Sequence, residues 1–259
     1  MDFRRATQPG QVARVATLCF RSPYAILGVI IAEGGSMFQR PIYTCYRAAK
    51  PIVVDGQLDD PSWQKAPVVE LALADTGGRP KQRTTARLLW DDDYLYVAFY
   101  CEDYDIWGTT TERDQDIYNQ EVVEVFVDDD CDDYSYIEIE VSPLNAVLDL
   151  FVLNRGGHMR GLWDWDSEGL RTAVIVEGDP SRRGGEGDRF WTVEMAIPMA
   201  DFMTAPNLPP QPGDVWHFNL YRIDRAAWGD EYSAWSPPGI INYHTPQRFG
   251  RLVFSDVRV

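Results

Sequence analysis

The sequence predicts an all-β fold, namely an antiparallel β-sandwich of the jelly-roll type with only very short helical turns. Three observations support this prediction. From Thr84 onward, apolar side chains alternate with a period of two residues, which is the spacing of strands and not of helices. The candidate strands are short, and Gly, Pro and Asp separate them. The chain has 259 residues, 45% of them hydrophobic, which is enough apolar material for one sandwich core.

The most regular alternation lies in a predicted hairpin. Its first strand is Thr84 to Trp90, its turn is Asp91 to Asp93, and its second strand is Tyr94 to Glu102. Short helical turns are expected after Asp60 and after Ile197. Further strands are predicted at 121–127, 134–141, 147–153, 170–176, 189–197, 215–224 and 249–254, and near Ile52 and Val68.

The first 36 residues differ from the rest of the chain. They carry four Arg against two acidic residues, and their only apolar run, Tyr24 to Ala32, is too short to span a bilayer. We expect residues 1–36 to lie outside the core, either as a disordered or non-native leader or as a secretory signal. Residues 37–259 are predicted to form a single domain. A non-native leader predicts a cytoplasmic protein, and a signal predicts a secreted or periplasmic one.

Acidic residues dominate the charge of the chain. The formal net charge is -16, which argues against binding to nucleic acid or to an anionic membrane surface. Between Asp91 and Asp149 there are 19 acidic residues and a single basic one, Arg113. Tyr, Val, Phe and Ile are threaded through this segment, so it is predicted to be folded rather than disordered.

Catalysis finds little support in the sequence. The three histidines are scattered, and the GxSxG, HExxH and P-loop patterns do not occur. Glu138 and Glu140 are two residues apart on one predicted strand, so they share a face with about 6.6 Å between their Cα atoms. That spacing is near the range for inverting glycosidases, yet any Glu-x-Glu on a strand gives it. A hydrolase that uses these carboxylates is therefore an alternative hypothesis.

An acidic turn is a candidate metal site. Calcium prefers six to eight oxygen ligands, and clustered Asp side chains provide them. No cofactor is predicted to be required, but a structural calcium ion is a candidate. Its predicted ligands are Asp128, Asp129, Asp130 and Asp132.

The chain contains nine tryptophans. Trp63, Trp90, Trp191 and Trp216 lie in strands or tight turns and are expected in the core. The others lie in loop-like sequence, where an exposed aromatic ring indicates recognition, because flat rings stack on the C–H faces of sugars. These are Trp107, Trp163, Trp165, Trp228 and Trp235.

Several segments together resemble family 9 of the carbohydrate-binding modules. The opening phrase PIVVDGQLDDPSWQKAP is similar to the start of that family's domains, and the other segments follow in the family's order over roughly residues 45–255. The segments are 51–67, 86–103, 119–130, 190–198, 213–224 and 248–254. The chain is most similar to the stand-alone bacterial subgroup, because no hydrolase domain accompanies the module.

This resemblance implies a DOMON-like β-sandwich that binds an oligo- or polysaccharide of the xylan or glucan type, with structural calcium. The family clamps a sugar between two tryptophans, and polar side chains bind its hydroxyls. Carried onto this sequence, the resemblance implies Trp107 as one wall and Trp235 as the other, with Trp228 behind it. The implied polar residues are Arg113, Glu121, Asn219 and Arg222, and Glu138 is a further ligand-binding candidate because of its place on a Glu-bearing strand.

Some alternatives remain open at this point. Arg113 could equally form a local ion pair. Strict alternation places Asn219 and Arg222 on opposite faces, so both serve one site only if a bulge intervenes. Besides a non-catalytic module and a glycosidase or hydrolase accessory subunit, a DOMON-like domain that binds haem or lipid is a third hypothesis. The sequence does not predict an oligomeric state.

Overall fold

The computed structural model describes residues 38–156 and 158–259, and nearly all of its regular structure is β. The prediction about residues 1–36 lies outside the described residues. Short 3-10 turns occur at Ile117–Asn119, Met199–Asp201 and Pro246–Arg248. The strands are β1 (Ile42–Arg47), β2 (Val69–Glu70), β3 (Ala72–Leu73), β4 (Thr84–Trp90), β5 (Tyr94–Glu102), β6 (Val122–Asp128), β7 (Ser135–Val141), β8 (Val147–Arg155), β9 (His158–Leu162), β10 (Arg171–Glu177), β11 (Phe190–Pro198), β12 (Val215–Ala226), β13 (Gly229–Ala234) and β14 (Gly250–Arg258).

The strands form one continuous hydrogen-bonded path that folds over into a sandwich. Its order is β10-β11-β5-β4-β1-β14-β12-β6-β7-β8-β9, and β13 pairs with β12 beside it. The predicted β-sandwich is confirmed. The sheet is mixed rather than wholly antiparallel, because β1 pairs in parallel with both β14 and β4 and thereby links the two halves.

The main core lies between the two halves of the sandwich. Apolar side chains from one face of β5, such as Val97 and Phe99, join Ile137 and Ile139 of β7 and Phe218 of β12 in a single buried cluster. The four tryptophans predicted to fill the core are almost completely buried. Cys45 is also buried within this core, because β1 is part of the sheet.

Some strands differ from the sequence prediction. β9 and β13 were not predicted, because neither HMRGL nor GDEYSA shows a clean apolar alternation. β9 extends the hairpin of β8 at the edge of the sheet, and β13 forms a hairpin with β12, so backbone pairing holds both strands. Ile52 is buried but lies outside the strands, whereas the segment after Asp60 forms short hydrogen-bonded turns of the kind expected there.

A second apolar cluster lies on the outer face of β6, β7, β8 and β12. Phe126, Tyr136, Tyr221 and Tyr243 belong to it, and the segment between β13 and β14 covers part of it. The sheet face next to this cluster stays open and forms the groove described below. In the part of the chain that the structure describes, no helix is long and apolar enough to cross a membrane.

Candidate functional site

An open groove of about 390 Å³ lies on the outer face of the sheet, across β12, β6, β7 and β8. Its lining combines aromatic rings with a floor of acidic side chains. The aromatic and apolar lining residues are Tyr118, Leu148, Leu150, Met159, Trp163, Ile223, Tyr232, Ile241 and Tyr243, and the polar ones are Glu124, Glu138, Glu140, Asn242 and His244.

Strand register brings three glutamates together at the floor of this groove. Glu138 and Glu140 alternate with Ile137 and Ile139, so the two isoleucines enter the core while the two glutamates face the groove. Glu124 of β6 lies directly opposite Glu140 across the strand pair. Carboxylate oxygens of the three glutamates lie within 4.8 Å of one another. We call these three residues the glutamate trio.

The trio is buried, although the groove above it is open. Glu124, Glu138 and Glu140 are only 2%, 4% and 2% exposed. Burial raises the pKa of the Glu138 carboxyl to about 7. The pKa values of Glu124 and Glu140 are raised well above the usual range, first by burial and then by the neighbouring carboxylates. These groups therefore hold protons at a pH at which an exposed glutamate is fully ionised.

The described residues place one basic side chain in contact with the trio. His244 Nδ1 lies 3.7 Å from Glu138 Oε2. Burial lowers the pKa of His244 to about 4, so its ring is neutral near pH 7. The same Nδ1 atom hydrogen-bonds the Tyr136 hydroxyl at 2.8 Å. Within the described chain, the Oε2 atoms of Glu138 and Glu140 have no hydrogen-bond partner.

The aromatic walls come from four separate segments. Tyr118 belongs to the 3-10 turn before β6, and Tyr232 belongs to β13. Tyr243 lies in the segment after β13, where its ring stacks on Tyr221 with 4.0 Å between centroids. The Tyr243 hydroxyl donates to the backbone oxygen of Arg222 at 2.8 Å, which fixes this wall. Trp163 follows β9 and is 49% exposed.

This arrangement matches the chemistry of a sugar. Flat apolar rings cover the C–H faces of a pyranose, while carboxyl groups at the floor accept hydrogen bonds from hydroxyl groups. The floor lies on rigid strands and Tyr243 is anchored by stacking and a hydrogen bond, so much of the groove is formed before a ligand arrives.

Of the site residues that the sequence and the resemblance indicated, the structure places Glu138 in the groove. Trp107 lies elsewhere: its Nε1 donates to the backbone oxygen of Arg225 at 3.1 Å, and the Arg183 guanidinium lies 5.0 Å from its ring centroid. Arg113 forms an ion pair with Asp149 at 2.6 Å, which is the local pairing that the sequence left as one alternative.

Three further candidates are buried, form polar contacts inside the fold and do not line the groove. Arg222 is buried and forms an ion pair with Asp103 at 2.8 Å, and Glu121 Oε2 lies 3.6 Å from the same guanidinium. The Asn219 side chain bridges to Ser236, donating to its backbone oxygen and accepting from its N–H. β12 pairs with β6 without a bulge between residues 217 and 223, so Asn219 and Arg222 face opposite sides and do not share a site.

The remaining two tryptophans also lie outside the groove. Trp235 is half-buried and stacks on Phe218 of the main core, with 4.4 Å between ring centroids. Trp228 lies in the turn between β12 and β13 and is 45% exposed. Trp235 is thus explained by packing, and Trp228 is an exposed ring on a hairpin turn.

Sequence reasoning missed most of the groove. The tyrosine walls lie in a 3-10 turn, in an unpredicted strand and in an irregular segment, where alternation gives no signal. The position of Glu124 indicates a functional role, because it lies directly opposite Glu140 in the paired strands. Like charges in opposite positions destabilise a sheet, so a pair of this kind is expected mainly where it serves a function. Recognising this pair needs the strand register, which the sequence alone did not supply.

The acidic turn after β6 brings together three of the four predicted metal ligands. Carboxylate oxygens of Asp128, Asp130 and Asp132 lie within 4.8 Å of one another. This set of hard oxygen donors suits calcium. The Asp129 carboxylate does not join them, because it accepts hydrogen bonds from the backbone N–H and the hydroxyl of Thr204.

The fold is a β-sandwich with an open, aromatic-lined groove on one sheet face. Residues 54–148 match the family model described as carbohydrate family 9 binding domain-like. This part of the chain is therefore similar to a carbohydrate family 9 binding domain.

Three known proteins illustrate the similarity. An extracellular protein of Arthroderma benhamiae is 27% identical over 183 residues, covering 68% of this chain and 80% of that protein. Endo-1,4-beta-xylanase A of Thermotoga maritima is 24% identical over 207 residues, covering 77% of this chain but only 16% of the xylanase. A family 9 carbohydrate-binding module from Caldicellulosiruptor kristjanssonii, solved with cellotriose, superposes with a TM-score of 0.57 at 17% identity, over 82% of this chain and 94% of that one.

Proposed function

We propose that this chain is a non-catalytic carbohydrate-binding module that holds a saccharide in the groove above the glutamate trio. The observation that carries the proposal is the combination of aromatic walls with buried carboxyl groups at the floor. The family 9-like domain supports the same ligand class. The two-tryptophan clamp implied by the resemblance is replaced in this proposal by walls of Tyr118, Tyr232, Tyr243 and Trp163.

The relatives indicate the kind of saccharide. The module that this fold resembles was solved with cellotriose, and two Thermotoga xylanases contain a region similar to this chain. The chain spans about a sixth of the length of those xylanases. We infer a role in the breakdown of xylan- or glucan-type polysaccharides, in which this chain supplies binding and another protein supplies hydrolysis.

Isothermal titration calorimetry against a panel of glucose, cello-oligosaccharides and xylo-oligosaccharides tests this proposal. We expect saturable binding to at least one member of the panel, because the groove has the size and lining of a small-ligand site. Binding of a ligand on a mainly apolar surface should also give a negative heat-capacity change. Failure of every saccharide to bind would refute the proposed function.

The groove favours binding over hydrolysis for a geometric reason. The two carboxylates of a glycosidase flank the scissile bond, one above and one below the sugar. Here all three carboxyl groups lie on the same floor, within 4.8 Å of one another, so a sugar lies above all of them. We expect no release of reducing ends from xylan or glucan. Release that is lost in Glu138→Gln would instead support the hydrolase alternative.

We also propose that Asp128, Asp130 and Asp132 bind a structural calcium ion, with water and backbone oxygens completing the shell. Calcium that binds only the folded state stabilises it by about 2.7 kcal/mol at a concentration 100 times its Kd. Calcium chloride should therefore raise the melting temperature relative to EDTA. Asp130→Asn should abolish this increase, and the exposed turn variant Asp93→Asn should retain it. An unchanged melting temperature in wild type would contradict the calcium site.

A further inference from the structure

The glutamate trio is unusual because three buried carboxyl groups meet, and no Lys or Arg among the described residues forms an ion pair with them. Buried carboxylates in proteins are normally paired with a basic side chain or satisfied by several donors. Here the Oε2 atoms of Glu138 and Glu140 are buried, lack a partner among the described residues, and belong to side chains that line the groove. The floor therefore offers carboxyl oxygen atoms that a ligand can satisfy.

The charged groups around the trio do not remove this excess of acid. Arg225, on the β12 side, attracts Glu124, but its guanidinium already hydrogen-bonds Asp230, the Tyr232 hydroxyl and the backbone oxygen of Tyr118. Asp116, which precedes the 3-10 turn of Tyr118, adds negative charge near Glu140.

The remaining titratable groups that face the trio are neutral near pH 7. His244, from the segment after β13, has a pKa lowered to about 4 by burial. Burial raises the pKa of the Tyr118 phenol to about 12, and it also raises those of Tyr136, Tyr221 and Tyr243. The groove is thus an acidic floor enclosed by neutral aromatic walls.

Building on the proposed function, we infer that the groove selects a saccharide that carries a protonated amine, that is, a deacetylated amino sugar. An ammonium group has three N–H donors and a positive charge, which matches three convergent carboxyl groups. The aromatic walls favour this ligand through two interactions. They stack on the sugar ring, and the faces of their rings attract a nearby cation.

A bare divalent cation fits this groove less well than an ammonium group. Calcium needs six to eight oxygen ligands. Apart from the trio, the groove is lined mainly by aliphatic and aromatic side chains, which supply few such oxygens. A bound metal ion that bridges to the hydroxyls of a neutral sugar is therefore the competing outcome that the experiment must distinguish.

Three trisaccharides that differ only at position 2 of each ring test the inference by calorimetry. They are the β-1,4-linked trimers of glucosamine, N-acetylglucosamine and glucose. At pH 7 the glucosamine trimer should bind at least about tenfold more tightly than the other two, because charge-assisted hydrogen bonds are roughly twice as strong as neutral ones. The preference should persist in EDTA, since it does not depend on a metal ion.

Proton exchange provides a second readout on the wild-type protein. An ammonium group favours ionised carboxylates, so binding of the glucosamine trimer should release protons, measurable as a dependence of the binding heat on the ionisation enthalpy of the buffer. The affinity should fall as the pH drops below 7, because protons compete at Glu138, whose pKa is about 7. It should also fall above about pH 8, where amines of this kind lose their proton.

Glu140→Gln keeps the size of the side chain and removes from the trio one carboxyl group that can ionise when an ammonium group binds. We expect this variant to bind the glucosamine trimer at least about tenfold more weakly and the glucose trimer within threefold of wild type. Equal affinity of wild type for the charged and neutral trimers would overturn the inference while leaving the proposed function intact. A preference that disappears in EDTA would also overturn it. Failure of all three trimers and of the xylo-oligosaccharides would remove both proposals.

Discussion

Replacing Tyr118 and Trp163 together by alanine is expected to abolish measurable saccharide binding, while each single replacement weakens it at least about tenfold. The two rings come from different segments and both line the groove, so the double variant leaves the floor without two of its aromatic walls. Truncating a central aromatic residue of a binding site commonly costs about 2 kcal/mol or more, which corresponds to roughly a 30-fold loss of affinity. Calorimetry with the best saccharide of the panel measures the effect.

Trp228 provides a matched control for Trp163. The two tryptophans have similar exposure, 45% and 49%, but only Trp163 lines the groove. Trp228→Ala should bind the saccharide as wild type does, and unfolding in urea should show that all variants remain folded. Loss of binding in Trp228→Ala with retention in Trp163→Ala would place the site on the turn between β12 and β13 and contradict the groove.

Replacing Arg222 by methionine is expected to destabilise the protein by about 3–5 kcal/mol, because it leaves buried carboxylates without their cation. The guanidinium is 1% exposed and lies 2.8 Å from Asp103, 3.6 Å from Glu121 and 3.4 Å from Asp224. It also donates to Thr84 and to the backbone oxygen of Glu102, so the loss affects both halves of the sandwich. The midpoint of urea unfolding measures the change in the free energy of unfolding.

Arg83 is the control for Arg222. It pairs with Glu70 at 3.0 Å, and both side chains are more than 40% exposed. Arg83→Met should therefore change the free energy of unfolding by less than about 1 kcal/mol. If Arg222→Met were as stable as Arg83→Met and instead lost saccharide affinity, Arg222 would be a ligand-binding residue and its structural role would be wrong.

The sequence predicted strands well where one face is buried. β4 and β5 have the predicted boundaries, because their alternation is strict and Asp91 to Asp93 marks the turn. β1 was missed although Cys45 and Tyr43 are buried in it. It is a short strand whose parallel partners, β4 and β14, are distant in sequence. Pairing of that kind has no local signal.

The floor of the groove was only partly predictable. Alternation placed Glu138 and Glu140 on one face, and both line the groove. The segment EVVEVFV, which begins one residue before β6, offers Glu121 and Glu124, which are three residues apart and therefore point to opposite faces. The resemblance led to Glu121, whose carboxylate accepts a hydrogen bond from the backbone of Arg225. Only the register between β6 and β7 shows that Glu124 is the residue facing the trio's other members.

The sequence and the resemblance favoured tryptophans, whereas the walls of the proposed groove are mainly tyrosines. Loop-like sequence around Trp107 and Trp235 indicated exposed rings, but tertiary contacts cover both of them in part. Tyr118, Tyr232 and Tyr243 converge from elements far apart in sequence, so no single segment contains their pattern. Trp163 was recognised as a loop tryptophan, but not as part of a binding site.

A crystal structure of the protein with the tightest-binding trisaccharide tests the central claim most directly. We predict that a sugar ring lies in the groove, in contact with Tyr118 or Trp163. At least one carboxyl group of Glu124, Glu138 or Glu140 should lie within hydrogen-bond distance of that ring. A saccharide bound instead at the Trp107 loop, with the groove above the trio empty, would contradict it.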